Sequence, residues 1–326
     1  MKFTKVMCSL AVASLLAGGC SKDPVPTMVG IPFSSYAHED EPFAQELFNE
    51  HASVPQVEDA ELLFVAADYD AKYTHVRRLA RRTLTTSEAG PTIWFFGGST
   101  VFGIGQRDEH TIPSEIVRLA KHAGTPVNAV NFGFPSYASW QEVGLMKRAL
   151  ADRPAPDLIV FYHGINDFGV ICRQLALGIE PDGLGNPLAQ EQPKKPKTVC
   201  TSEPQAVGAL IASAVSRSMA DAASWAGPIP IVSYWQPFAG TRAPKETDGP
   251  LRKALKVNAT GLQSQGKPYR AALALVKPRP VDLTDVFDSY DGPLFFDWAH
   301  TNELGAHLVA KAMWDRSLRR EVAALR

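Results

Sequence analysis

Apolar residues along this chain change period several times, and the changes outline its elements. Thr92–Phe96 is an apolar run stopped by Gly97-Gly98 and reads as a buried strand. Ile112–His122 has helical spacing and ends at Gly124. Val127–Asn131 is the next strand. Ser139–Ala151 is the next helix, with Ser139 as N-cap and Glu142 three residues later as its capping box. Leu158–Tyr162, Ile229–Tyr234 and the short Val281–Leu283 complete the strands. Helices fit at about 204–224 and 250–276, and Thr301 opens a last one. Strands alternating with helices require crossovers and therefore a parallel sheet. Runs that are apolar throughout suit strands covered on both faces. The predicted fold class is α/β, a three-layer α/β/α domain with a mostly parallel five-stranded sheet.

The ends of the chain read differently. Lys2 and Lys5 precede a short apolar stretch, Val6–Gly19, which is too brief for a stable membrane span. It closes on Leu16-Ala17-Gly18-Gly19-Cys20. That ending resembles a bacterial lipoprotein signal, with leucine one place early, and it implies lipidation of Cys20; plain secretion is the alternative. The expected organisation is a signal over 1–19, a Pro-rich tether over 20–45, a helical extension over 46–90 and the main domain over 91–326. A strand near Leu62–Val65 interrupts the extension. Residues 168–206, dense in Pro and Gly, are expected to form an insertion or flap beside the candidate site. The expected location is the bacterial cell envelope, exported and lipid-anchored, with the outer membrane favoured by Ser21.

The chain has 326 residues, 33 Lys and Arg against 34 Asp and Glu, and 45% hydrophobic residues. Loss of Lys2 and Lys5 with the signal takes the formal charge from −1 to −3. Nothing here favours nucleic acid as a partner. Of four cysteines, Cys8 leaves with the signal and Cys20 carries lipid, so Cys172 and Cys200 remain. An oxidising compartment favours a disulfide between them, two free thiols being the alternative. Neither has a His or Cys partner at metal-ligand spacing.

Candidate chemistry lies where apolar runs end. Gly97-Gly98-Ser99-Thr100, Asn131-Phe132-Gly133, Gly164-Ile165-Asn166-Asp167 and Asp297-Trp298-Ala299-His300 stand in this order. In an open parallel sheet, ligands bind beyond the carboxyl ends of the strands. A serine needs a base in contact to act as a nucleophile. His300 is the candidate base, and Asp297, three residues earlier, the candidate orienting carboxylate. An oxyanion needs rigid donors, for which the backbone N–H groups of Ser99 and Gly133 and the amide of Asn166 are candidates.

Taken one at a time these residues have ordinary readings. Ser99 alone is a helix cap, Gly133 a turn residue and His300 a loop histidine. His163 reads either as a residue behind the candidate site or as core. Arg77, Arg78, Arg81 and Arg82 repeat at helical spacing and read as a solvated face. Tyr234, Trp235 and Trp298 are either pocket walls or core aromatics.

The four segments together resemble the SGNH (GDSL-type) hydrolase superfamily of esterases, lipases and polysaccharide deacylases, over about residues 91–315. The resemblance implies a flavodoxin-like layered fold, Ser99 as nucleophile, Gly133 and Asn166 as oxyanion donors, and Asp297 with His300 as the remaining triad. The first block reads Gly-Gly-Ser-Thr instead of Gly-Asp-Ser-Leu, which leaves the substrate subgroup open. Val101 stands where the G-x-S-x-G elbow of α/β-hydrolases needs a glycine. The expectation is an ester hydrolase that needs no metal or cofactor, acting on an ester-bearing small molecule, lipid or acylated glycan. An O-acyltransferase on an envelope polysaccharide and a non-catalytic envelope lipoprotein are the alternatives.

Overall fold

The computed structural model describes residues 41–86, 89–185 and 199–325. The signal, Cys20 and most of the tether lie outside them. So do 186–198 of the expected flap.

Five parallel strands make the frame: β6 (Thr92–Gly97), β7 (Asn128–Gly133), β8 (Leu158–His163), β9 (Ile231–Trp235) and β10 (Val281–Asp282). They run in the order β10-β9-β8-β6-β7, with Gly97 level with Gly133 on one side and with Tyr162 on the other. Alternate strand residues feed two cores. Trp94, Phe96, Phe132, Ile159 and Phe161 pack on one face; Ile93, Phe95, Leu158, Val160 and Tyr162 pack on the other. Strands buried on both faces have no polar side to alternate with, which explains their continuous apolar runs.

Helices cover both faces. The first core also takes residues of α4 (Ser139–Asp152), α5 (Ile165–Leu177), α7 (Pro204–Ala226) and α9 (Ala259–Leu275). The second takes α3 (Ile112–His122) and α10 (Glu303–Met313). The α/β/α layering expected from the sequence is present.

The region before residue 90 departs from expectation. Among its described residues it holds one helix, α1 (Glu41–Ser53), which begins inside the expected tether. Five short strands follow: β1 (Gln56–Asp59), β2 (Leu63–Ala66), β3 (Tyr69–Asp70), β4 (His75–Arg77) and β5 (Ala80–Arg81). β1 and β2 form their own antiparallel pair, whereas β5, β4 and β3 extend the main sheet beyond β7 to eight strands. Arg78 and Leu79 both have positive φ, 49° and 68°, and make the tight turn of the β4–β5 hairpin. Such turns ordinarily announce themselves by Asn-Gly. Here a basic and an apolar residue occupy them, and the arginine spacing imitates a helix.

Three smaller corrections follow. The expected single helix at 250–276 is two, α8 (Gly249–Ala254) and α9, separated by Lys256 at φ 52° and by Asn258, whose side chain accepts the Gly261 N–H. Ser139 is not the cap of α4; Ala138 holds that position, and the Gln141 side chain accepts its N–H. The expected flap begins as helix, because α5 runs on to Leu177 and stops at Gly178, φ 70°. Cys172 in α5 and Cys200 in α6 (Val199–Ser202) are joined by a disulfide, with Cα atoms 5.6 Å apart.

Candidate active site

Ser99 is the first residue of α2 (Ser99–Phe102), a single turn that β6 delivers and Gly103 ends at φ 92°. Two glycines make the turn feasible. A Cβ on Gly97 would stand 2.5 Å from the Tyr162 carbonyl oxygen, and one on Gly98 would stand 2.2 Å from Asn166 Nδ2. Side chains at these positions would separate β6 from β8 and displace the asparagine amide.

His300 lies in the loop before α10, and Asn302 ends that loop by accepting the Gly305 N–H. Asp297 Oδ1 accepts the backbone N–H groups of Ala299 and His300, each at 2.8 Å. Its other oxygen, Oδ2, is 2.6 Å from His300 Nδ1. An ionised carboxylate only accepts, so Nδ1 carries the proton and Nε2 presents its lone pair. That nitrogen is 2.6 Å from Ser99 Oγ. Ser99, Asp297 and His300 are 5%, 4% and 3% exposed. A charge-assisted pair this well buried is little weakened by solvent. The structure therefore brings the three residues singled out in the sequence into one continuous chain of hydrogen bonds.

The candidate oxyanion donors separate into two groups. The backbone N–H of Ser99 opens a helix and has no acceptor among the described residues. Asn166 sits in the first turn of α5, where Gly164 at φ 117° turns the chain out of β8. Its Nδ2 donates to the Tyr137 carbonyl at 2.8 Å, which holds the amide still and leaves a second N–H available.

Gly133 does not fit the role expected of it. Its N–H is already donated to Asn131 Oδ1 at 2.9 Å. A Cβ here would stand 2.1 Å from the Phe102 backbone nitrogen, so the glycine admits α2 against β7. Close packing explains it. Three residues on, Ser136 adopts φ 68° in the loop between β7 and α4, and its N–H has no acceptor among the described residues. The neighbouring Tyr137 carbonyl borders Gly98 and receives the Asn166 amide, so this loop edges the Ser99 turn. Sequence reasoning missed Ser136, because a serine gives no sign of a left-handed conformation that glycine ordinarily takes. The preceding Phe-Pro, a turn signal, was the available clue.

Other residues resolve toward structure. Arg81 is not on a solvated face. It is buried, donating to Asp108 at 2.8 Å and to the carbonyls of Phe102, Gly103 and Gln106. It thereby fastens the segment that follows Ser99. Tyr234 and Trp235 are core residues, and Trp298 is half-buried between the two cores. His163 is buried with its Nδ1 3.5 Å from Glu142 Oε2. Burial pushes its pKa down to about 4, and burial and Asp167 push that of Glu142 well up. Asp167 Oδ1 accepts from both the N–H and the Oγ of Ser139, so this carboxylate braces α4.

No family model and no curated protein matches the chain in sequence. Solved structures do resemble it in outline. A member of the lipolytic G-D-S-L family from Veillonella parvula aligns over 70% of this chain and 98% of its own, with 13% identity and a TM-score of 0.38. A family 3 carbohydrate esterase from Clostridium thermocellum aligns over 73% and 100%, with 13% identity and a TM-score of 0.39. An acetyl xylan esterase aligns over 70% and 100%, with 16% identity and a TM-score of 0.41. The chain is similar to these proteins in structure. At such identities and TM-scores, what it does has to be argued from its own side chains.

Proposed function

We propose that this chain is a serine-dependent ester hydrolase of the SGNH type. The contact of Ser99 Oγ with His300 Nε2 at 2.6 Å, backed by Asp297, carries the reading. Ser99 Oγ attacks the ester carbonyl carbon while its proton passes to His300 Nε2. The carbonyl oxygen becomes an oxyanion held by the Ser99 N–H, the free N–H of Asn166 Nδ2 and the Ser136 N–H. Collapse breaks the bond to the alcohol oxygen, which leaves with the proton from Nε2, and an acyl-Ser99 ester remains. Water then attacks that ester, gives a proton to Nε2, and the acid departs as Ser99 Oγ recovers the proton. Asp297 stays ionised and stabilises the imidazolium formed in each half. Preorganised donors aimed at the oxyanion are ordinarily the largest single contribution to such a barrier.

Labelling with a fluorophosphonate probe tests the nucleophile, and p-nitrophenyl esters of rising chain length test turnover and pocket size. Ser99→Ala is expected to abolish both signals. A folded wild-type protein that neither labels nor turns over would overturn the reading. Acyl transfer to a sugar hydroxyl would appear as acylated sugar in place of free acid. The proposed location is the cell envelope, through lipid on Cys20. Incorporation of labelled palmitate that Cys20→Ala abolishes supports it; lack of incorporation in the native host overturns it.

A further inference from the structure

α1 lies outside the α/β/α frame, yet two of its side chains reach the proposed machinery. Phe48 meets Phe296 edge-on, with ring centroids 4.8 Å apart and planes at 77°. Phe296 in turn lies nearly parallel to the His300 imidazole, at 5.8 Å and 11°. It is also tied to that residue by backbone, its N–H donating to the His300 carbonyl. One turn further along α1, His51 Nδ1 accepts the backbone N–H of Gly105 at 3.1 Å. The His51 ring stands edge-on to Phe102, the last residue of the nucleophile helix, at 5.7 Å. Phe48, His51, Phe102 and Phe296 are all buried. Residues three apart on a helix share a face. One face of α1 therefore touches the carrier of the base through Phe48 and the carrier of the nucleophile through His51.

We infer that Phe48 and His51 are positioning residues that hold the His300 imidazole and the Ser99 helix in register from outside the catalytic frame. The inference rests on the esterase reading above. An Nδ1 that accepts must be unprotonated, which leaves the proton on Nε2. Burial, Arg81 and His300 all disfavour a second proton, so the acceptor is preserved at neutral pH. His51 Nε2 has no partner among the described residues and is buried. Leaving such a donor unpaired is costly, and an apolar side chain would pack without that cost. Helix packing alone does not explain a histidine here; acceptance at Gly105 does. Reaction rates respond steeply to small displacements of reacting groups.

The test compares Phe48→Ala, Phe48→Leu, His51→Phe and His51→Asn with the wild type in the full chain. Readouts are fluorophosphonate labelling rate, kcat and KM on one p-nitrophenyl ester, and thermal unfolding. Phe48→Ala and His51→Phe are expected to lower kcat and labelling about 10- to 100-fold, with KM within about twofold, at temperatures where both are folded. His51→Asn keeps an acceptor near the position of Nδ1 and is expected to restore most of the rate, as is Phe48→Leu in part. Should Phe48→Ala fail to fold, the comparison of His51→Phe with His51→Asn decides. Folded variants that label and turn over like wild type overturn this inference alone. Absence of labelling in the wild type overturns the esterase reading and this inference together.

Discussion

Asn131 Oδ1 accepts the backbone N–H of Gly133 at 2.9 Å, and the same side chain donates through Nδ2 to the Val101 carbonyl at 2.8 Å. The asparagine thus stitches β7 to α2, and Gly133 is the residue that lets the two backbones meet. Gly133→Ala is expected to destabilise strongly, because the obstructing Phe102 atoms belong to the backbone and cannot rotate away. Ser136→Gly removes the cost of a left-handed serine while keeping its N–H. It is expected to retain activity and to raise stability by up to about 1 kcal/mol. Urea unfolding with parallel kinetics checks both; an unaltered Gly133→Ala would sink the packing account.

Asn166 is expected to act in the transition state and hardly at all in the ground state. Asn166→Ala removes one oxyanion donor and is expected to lower kcat by about 10²–10³, with KM little changed. Its bond to the Tyr137 carbonyl is lost as well, at a stability cost of roughly 1 kcal/mol. Steady-state kinetics measures the first effect and urea unfolding the second. A KM rise with constant kcat would assign Asn166 to substrate binding instead.

The order of these residues could be read from the chain because buried parallel strands leave plain marks. Continuous runs such as Leu158–Tyr162 end at the sheet edge where polar residues gather, and Ile112–His122 coincides with its helix. Side-chain geometry left no such mark. No pattern tells that Asn131 engages the N–H of Gly133, or that the serine at 136 takes φ 68°. Strands as short as Tyr69–Asp70 and Ala80–Arg81 are too brief to show alternation. They exist because neighbours pair with them, and that is a tertiary cause.

Arg81 shows the same point energetically. Its guanidinium serves Asp108 and three carbonyls that close the segment after Ser99, with no water access to replace it. Arg81→Met leaves Asp108 buried beside only His75 and Arg82 and takes the guanidinium donor from the carbonyls of Phe102, Gly103 and Gln106. A loss of about 3–5 kcal/mol is expected. Arg81→Lys recovers only part, since an ammonium cannot span the fork. Chemical denaturation measures it; a loss under about 1 kcal/mol would mean that the cluster relaxes to water.

The buried group formed by His163, Glu142 and Asp167 should give stability a characteristic pH dependence. The folded state holds the His163 pKa near 4 against an ordinary 6.5, through burial. Between those values an unfolded chain takes up a proton that the folded chain refuses. Its contribution is complete above pH 6.5 and is lost as pH falls toward 4, by roughly 3 kcal/mol at most. Glu142 has the opposite sign: burial and Asp167 raise its pKa, so the folded chain keeps a proton the unfolded chain releases, and stability declines as pH rises through the range between the two values. Asp167, raised chiefly by burial, adds to that second trend. His163→Gln is therefore expected to weaken the rise of unfolding free energy from pH 4 to 6.5 relative to wild type, and Glu142→Gln to remove the opposing decline as pH rises. Urea titrations at pH 4.5, 5.5, 6.5 and 7.5 measure both slopes. Parallel wild-type and His163→Gln curves across the acid window would show that His163 is hydrated in solution and not held dry at the end of β8.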